Sequence, residues 1–349
     1  MSARKFRVGI TGDFLDSEGR LSMGDIGLAV LDGEPRIEYE FFAENLPEVT
    51  PQQADRYDAI VALAPKFTAR TFEGLERLTA IGRFGVGFDR VDVAACTRAG
   101  VVLFITPDGV RRPVAQSVLA LMLALANKLL LKDRSIRAGR WQDKARHTGV
   151  GLTGRTLGLI GAGNIGAEVL RLVAPFGMRH LVFDPYADRA AMRALGAELV
   201  DLPVLLAESD FVSVNCPLND HTRGMIGERE LAAMKPTAFL INTARGPIVD
   251  QRALTEALRA GAIAGAGLDV FEREPIAPDD PLLGLENVVL APHNLCYTDE
   301  VLLGNGKAAF SGVLQIARGE APPNVVNPEV LKSEILIAKL RRHAKSHQE

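Results

Sequence analysis

The chain has 349 residues, enough for two domains with sizeable cores. Hydrophobic residues make up 47% and charged residues 24%, the balance of a soluble globular protein, and a net charge of -3 offers no basic field for a nucleic acid or an anionic membrane. The cysteines Cys96, Cys216 and Cys296 are odd in number and form no CxxC pair, which argues for a reducing compartment and against a disulfide framework or a metal site.

The N-terminus, MSARKFRVGITGDF, passes straight into a strand pattern without an apolar signal segment. The longest apolar stretch, SVLALMLALA, is too short to cross a bilayer, so a cytoplasmic protein is expected. The first hundred residues alternate strand-like runs (FRVGIT, YDAIVAL, LTAIGRFG, VVLFIT) with polar or Gly/Pro-bearing segments, the rhythm of βαβ units on a parallel sheet. TPDGVRRP, from Thr106 to Pro113, punctuates the chain before a helix-like stretch from Val114 to about Ala138, which places a domain crossing here.

From Thr156 the alternation restarts with TLGLIG, HLVFD, FVSVNCP, AFLINTA, AGAGLDV and NVVLAP, about six parallel strands of a doubly wound sheet. A helical segment follows Thr298 and ends in the Pro-rich APPNVVNPEV; the basic tail LKSEILIAKLRRHAKSHQE reads as a solvated C-terminal helix or frayed end. The fold class is α/β, two Rossmann-like domains on doubly wound parallel sheets.

Gly161, Gly163 and Gly166 form GxGxxG between an apolar strand and a helix from Ile165, and the next strand ends in Asp184, near the spacing of about 20 residues that the dinucleotide fingerprint requires. Gly161 makes the tight turn, Gly163 lets backbone approach a pyrophosphate, and Gly166 allows close helix–strand packing. Asp184 accepts the ribose hydroxyls and repels a 2′-phosphate; no Arg or Lys follows it directly in DPYAD, which favours NAD over NADP.

Three further motifs stand at strand ends downstream: NTARGPIVD with Arg245, GLDVFEREP with Asp269 and Glu274, and APHNLCYT with His293. Read alone, a histidine after a strand is more often structural, an arginine before Gly-Pro makes a surface turn, and the Glu of FEREP is solvated. Together they supply what reduction of a 2-keto acid requires. Arg245 forks onto the carboxylate and carbonyl oxygen. His293 donates the proton, the ordinary histidine pKa of about 6.5 lying near working pH. Glu274, accepting from the other ring nitrogen, orients the imidazole and favours its protonated form.

GAGNIG with Asp184, INTARGPIVD, GLDVFEREP, PHNLCYT and GRFGVGFDRVD resemble, over nearly the whole chain, the NAD-dependent D-isomer-specific 2-hydroxyacid dehydrogenase family. The resemblance implies a cofactor domain, residues 106–298, inserted into a discontinuous substrate domain, residues 1–105 plus 299–349, with the active site in the cleft between them. The family's catalytic residues fall on Arg245, Glu274 and His293. The backbone amides of Val86 and Gly87 fall at the substrate carboxylate, where glycine permits close approach. On the cofactor side it points to Asn164 and Ile165 at the pyrophosphate, Asp184 at the ribose, and Cys216 and Pro217, with Thr222 beyond them, on the adenosine side. Thr243, Ala244 and Asp269 fall around the nicotinamide. Asn294, Leu295, Cys296 and Tyr297 line the cleft, making Cys296 the thiol whose modification most readily inactivates.

Departures bear on substrate. Val110 and Gln116 replace common family residues, and Arg111 and Arg112 are added, either to recognise a second anionic or polyhydroxylated part of the substrate or to anchor the crossing through surface ion pairs. Ala62 stands where members acting on phosphoglycerate supply an arginine, and only Lys66 is nearby, which disfavours that substrate; Glu274 argues against formate. A hydroxypyruvate or glyoxylate reductase role and a sugar-acid role both fit. The rival reading is an NAD-sensing, corepressor-like interaction protein without significant turnover. The family usually dimerises through the cofactor domain and the long helix after the crossing, here Val114–Ala138 with Trp141 following, so a homodimer is expected.

Overall fold

Runs of small and β-branched residues buried on both faces are the mark of parallel strands covered by helices on either side. The computed structural model describes residues 4–345, and in it the chain forms two units of this kind. Unit 1 takes the residues up to Val110 and from Tyr297 onward; unit 2 is the continuous stretch Arg111–Cys296.

Unit 1 holds a five-stranded parallel sheet of β1 (Phe6–Ile10), β2 (Ile37–Phe41), β3 (Ala59–Ala62), β4 (Ala80–Arg83) and β5 (Val102–Phe104), in the order β2-β1-β3-β4-β5. β3, β4 and β5 are buried throughout. β2, of sequence IEYEF, adds a strand beyond the four apolar runs of this part of the chain: it is an edge strand in which only Ile37 is buried, so its sequence carries no apolar run. The ring of Phe104 sits where Cβ atoms on Gly82 and Gly312 would lie, at 2.6 and 2.4 Å, so the missing side chains of β4 and of the helix Asp299–Ala317 make its slot.

The C-terminal helix Glu334–Lys345 is docked on unit 1, not solvated along its length. Leu336 is buried, and the buried ammonium of Lys339 donates to Leu78 O at 2.9 Å and to Ala99 O at 2.8 Å. The second carbonyl lies at the end of the helix Val93–Arg98, where a cation meets the negative pole. Residues 346–349 of the tail lie outside the described residues.

Unit 2 holds seven parallel strands: β6 (Thr156–Ile160), β7 (Arg179–Phe183), β8 (Ala197–Leu199), β9 (Phe211–Val214), β10 (Phe239–Asn242), β11 (Gly265–Leu268) and β12 (Val288–Leu290). Their order, β12-β11-β10-β9-β6-β7-β8, reverses direction between β6 and β9. Such a reversal opens a crevice at the carboxyl ends of the two strands. β8, three residues at the sheet edge, is the strand absent from the sequence reading.

The long helix differs from its expected span. It begins at Pro107, a residue suited to the first turn, and tolerates Pro113 in its interior, so the TPDGVRRP punctuation is helical. It ends at Ala126: Val150 N–H bonds Ala126 O at 2.8 Å and Lys128 turns left-handed, with φ 51°, before a second helix, Leu129–Arg137. The first helix is long and apolar enough to cross a membrane by composition, yet half of that window is buried inside the protein. Ala115, Val118, Leu121, Met122 and Leu125 join Leu157, Leu159 and Ile241 in the unit 2 core.

Candidate active site

The glycine turn after β6 shows a division of labour. Gly161 has φ +92°, and a Cβ there would stand 2.7 Å from Cys216 N. On Gly166 a Cβ would meet Gly161 O at 2.4 Å. Both glycines are therefore required by the protein's own packing. Gly163 is different: its φ of -63° suits any residue, and no protein atom lies within 4 Å of its Cβ position. The protein alone does not explain Gly163; a ligand approaching the backbone does.

Gly163 opens the helix Asn164–Val173 without a side-chain cap. Among the described residues, the N–H groups of Asn164 and Ile165 have no intramolecular acceptor. Uncapped amides and the helix dipole together suit an anionic group. Beside them, Asp184 at the end of β7 accepts Ala162 N–H at 2.8 Å on one oxygen and Tyr186 N–H at 2.9 Å on the other. It is only half-buried, so lone pairs remain for ribose hydroxyls. Cys216 follows β9, and burial pushes its thiol up to about 11, which makes it a neutral wall. Thr222 closes the following loop by donating to Pro217 O at 2.7 Å. This set of groups fits a dinucleotide.

Arg245, Glu274 and His293 follow β10, β11 and β12, three neighbouring strands with one set of carboxyl ends. Hydrogen bonding continues one residue past β11 and past β12: Asp269 N–H donates to Asn242 O at 3.0 Å and Ala291 N–H to Leu268 O at 2.9 Å. His293 Nδ1 lies 2.8 Å from Glu274 Oε2, and Glu274 Oε1 accepts Phe271 N–H at 3.1 Å. With Nδ1 committed to the carboxylate, Nε2 is the ring nitrogen left to exchange a proton with a substrate.

His293 is held in the left-handed region, φ +56°, by Asp269. That carboxylate accepts Asn294 N–H at 3.0 Å and Leu295 N–H at 3.1 Å, and burial holds its pKa above the usual carboxylate range. The Asp269 carboxylate thus shapes the turn that aims the histidine. Arg245 is framed in the same manner by Asn242, which is 1% exposed. Asn242 accepts Ala244 N–H at 3.0 Å and donates to Arg245 O at 3.0 Å, while Arg245 Nη1 donates to Ala244 O at 2.7 Å. A Cβ on Gly246 would lie 1.9 Å from Phe271 C and O, so only glycine lets the Arg245 turn press against the segment leading to Glu274. Asn242 and Gly246 were missed in the sequence; the signal was a polar residue closing the apolar run FLI and a glycine directly after the arginine.

Thr243 and Ala244 are half-buried after β10. Val86 and Gly87 belong to unit 1, in the turn after β4, and among the described residues neither N–H has an intramolecular acceptor. Arg111 is exposed, and Arg112 pairs with Glu168 of the helix Asn164–Val173 at 2.7 Å. Cys296 is a poorer nucleophile than its position suggested, since burial, reinforced by the Asp269 charge, pushes it up to about 11.

The family model for the D-isomer specific 2-hydroxyacid dehydrogenase NAD-binding domain matches residues 119–294. Glyoxylate reductase of Korarchaeum cryptofilum is 42% identical over 306 residues, 86% of this chain and 92% of that protein. The chain belongs to the D-isomer specific 2-hydroxyacid dehydrogenase family. D-3-phosphoglycerate dehydrogenase of Archaeoglobus fulgidus is 39% identical over 277 residues, 79% of this chain but only 52% of that protein, so the chain spans about half of that relative's length. Among solved structures, D-lactate dehydrogenase of Aquifex aeolicus, complexed with NAD and lactic acid, matches at TM-score 0.80 and 27% identity, covering 92% of this chain and 99% of that one. As a 2-hydroxyacid dehydrogenase, the chain is an NAD-dependent oxidoreductase of 2-hydroxy acids. The comparisons do not support the rival reading as an NAD-sensing interaction protein.

Proposed function

We propose that the chain interconverts a small 2-keto acid and its D-2-hydroxy acid with NADH, and that glyoxylate and hydroxypyruvate are the first substrates to try. The observation that carries this reading is the His293–Glu274 contact of 2.8 Å beside Arg245 on neighbouring strand ends. Bound NADH supplies the hydride. His293 gives its Nε2 proton to the carbonyl oxygen as it becomes an alkoxide, Glu274 keeps the ring oriented, and Arg245 binds the carboxylate and polarises the carbonyl.

In this reading unit 2 is the cofactor domain and unit 1 the substrate domain. Gly161, Gly163, Asn164, Ile165 and Gly166 receive the pyrophosphate. Asp184 receives the ribose, Cys216, Pro217 and Thr222 flank the adenosine, and Thr243, Ala244 and Asp269 surround the nicotinamide. The amides of Val86 and Gly87 take the substrate carboxylate. Arg111 and Arg112 would meet a second polar part of a larger substrate, although Arg112's pairing with Glu168 favours an anchoring role. Homology to glyoxylate reductase supports the small substrate.

The chain also acts as a homodimer in this reading. Leu129 (57% exposed), Ile136 (55%) and Trp141 (69%) stand out of the segment 129–147, an apolar surface that a second copy would cover. The test of function is NADH oxidation by the purified protein across a panel of 2-keto acids, repeated with NADPH. Turnover of glyoxylate or hydroxypyruvate is expected; intact NADH binding without turnover of any 2-keto acid would remove the assignment.

A further inference from the structure

We propose that Arg83 is a positioning residue for the substrate carboxylate, acting through the turn Gly85–Gly87. The inference rests on the reading above that the amides of Val86 and Gly87 receive that carboxylate. Arg83 closes β4 and is 8% exposed. A guanidinium at that depth is costly unless acceptors wait for its N–H groups. Here they are main-chain carbonyls: Nε donates to Gly87 O at 2.9 Å, and Nη1 donates to Ala62 O at 2.7 Å and to Leu63 O. One planar fork therefore joins the exit of β3 to the far end of the turn after β4.

The near end of the turn is held by Thr106, itself 1% exposed. Its N–H donates to Gly85 O at 3.0 Å, its hydroxyl oxygen accepts Gly85 N–H at 2.8 Å, and that hydroxyl lies 3.0 Å from Asn305 Oδ1. Peptide planes are rigid and trans, so fixing a carbonyl fixes the N–H of the following residue on the opposite side. Thr106 thereby sets the direction of Val86 N–H, Arg83 sets the plane between Gly87 and Phe88, and the Val86–Gly87 plane is held from both ends. The two amides are presented without further ordering when a carboxylate arrives, and the buried guanidinium adds a fixed positive charge close to it.

The test measures steady-state kinetics of Arg83→Gln and Arg83→Lys with the 2-keto acid that the wild type turns over fastest, alongside NADH affinity by fluorescence. Both variants should raise KM at least tenfold, with kcat within about threefold and NADH affinity unchanged, because the groups that move hydride and proton are untouched. Lysine should fail to rescue, since a point charge cannot span three carbonyls. If these variants do not fold, Thr106→Val should raise KM in the same way and Thr106→Ser should restore it. An unchanged KM in whichever pair folds, or a parallel loss of kcat and NADH affinity, would overturn the role of Arg83. A wild type that turns over no 2-keto acid would instead defeat the reading on which it rests.

Discussion

Unit 1 and unit 2 each hold their own strand starts together by the same device. In unit 1, Asp58 precedes β3; its N–H donates to Arg7 O at 2.8 Å, its carboxylate accepts Arg7 N–H at 2.7 Å, and its carbonyl accepts Thr79 N–H at 2.8 Å. In unit 2, Asp210 precedes β9 and does the same with Thr156 O at 2.8 Å, Thr156 N–H at 2.9 Å and Phe239 N–H at 3.0 Å. Each aspartate anchors three strand starts and draws cations, Arg77 for the first, Arg155 and Lys235 for the second. The carboxyl ends then diverge. After β6 the chain makes the left-handed Gly161 turn into a helix with open amides, whereas after β1 Thr11 stays extended, with φ -62°, and uses its hydroxyl to accept Leu63 N–H at 3.2 Å. One scaffold serves two purposes, and the turn after the first strand separates them.

If the proton-transfer chemistry belongs to the unit 2 strand ends, His293→Ala gives the largest effect, a fall in kcat of roughly a hundredfold or more, with NADH affinity nearly unchanged. A kcat within a few-fold of wild type removes His293 from the reaction. The cofactor contrast is sharpened by a pair of glycine variants. Gly161→Ala forces Cβ against the Cys216 backbone and should abolish measurable NADH binding, while Gly12→Ala, in the corresponding turn of unit 1, should leave it unchanged. Equal losses in titrations of the two would break the comparison.

The shared aspartates should differ in cost. The Asp58 side chain is fully buried and gripped by two Arg77 nitrogens at 2.8 and 2.7 Å, so Asp58→Asn should destabilise by about 3–5 kcal/mol, the usual penalty for orphaning a buried charge. Asp210 is buried as well, but its cations Arg155 and Lys235 are about a third exposed, so water compensates them when the pair is broken, and Asp210→Asn should cost about 1–3 kcal/mol. Urea denaturation measures both, and a larger loss at Asp210 would reverse the ranking.

Thiol chemistry gives a smaller contrast. Cys216 and Cys296 are pushed up from 9.0 to about 11, so each keeps its proton where the unfolded chain ionises. Their stabilising contribution is complete below pH 9 and is lost as the pH rises toward 11. Alkylation of both should be slow at pH 8 and accelerate toward pH 10, with the fully buried Cys96 of unit 1 slower still; rapid labelling of Cys296 at pH 8 would contradict this. The smallest effect is expected at Arg112→Ala, under about 1 kcal/mol for a half-exposed pair with Glu168. A substrate-selective rise in KM there would restore a recognition role.

Strands built from continuous apolar runs were legible in the sequence, from FRVGIT at β1 to NVVLAP at β12. β2 and β8 were not, because edge strands with one covered face or three residues leave no run to detect. The aspartate device leaves no sequence motif because it repeats geometry and not sequence: DAIVA and DFVSV share only the acid and a mainly apolar character. Of the site, GAGNIG, Arg245, Glu274 and His293 could be picked out as motifs, since glycine turns and charged residues after apolar runs are local patterns.

By itself, then, the sequence determined the strand rhythm, the dinucleotide turn and the set of ionisable groups at strand ends, all of which depend on neighbours within a few residues. Tertiary structure alone decided that β10, β11 and β12 lie side by side, so that His293 meets Glu274 next to Arg245. It decided that Asp269 folds the histidine turn, that Val150 stops the long helix at Ala126, and that Lys339 is buried in a tail that looked solvated. The physical reason is common to all four. Each is a hydrogen bond or strand pairing between residues distant in the chain, whose partner is chosen by packing and leaves no mark on local composition.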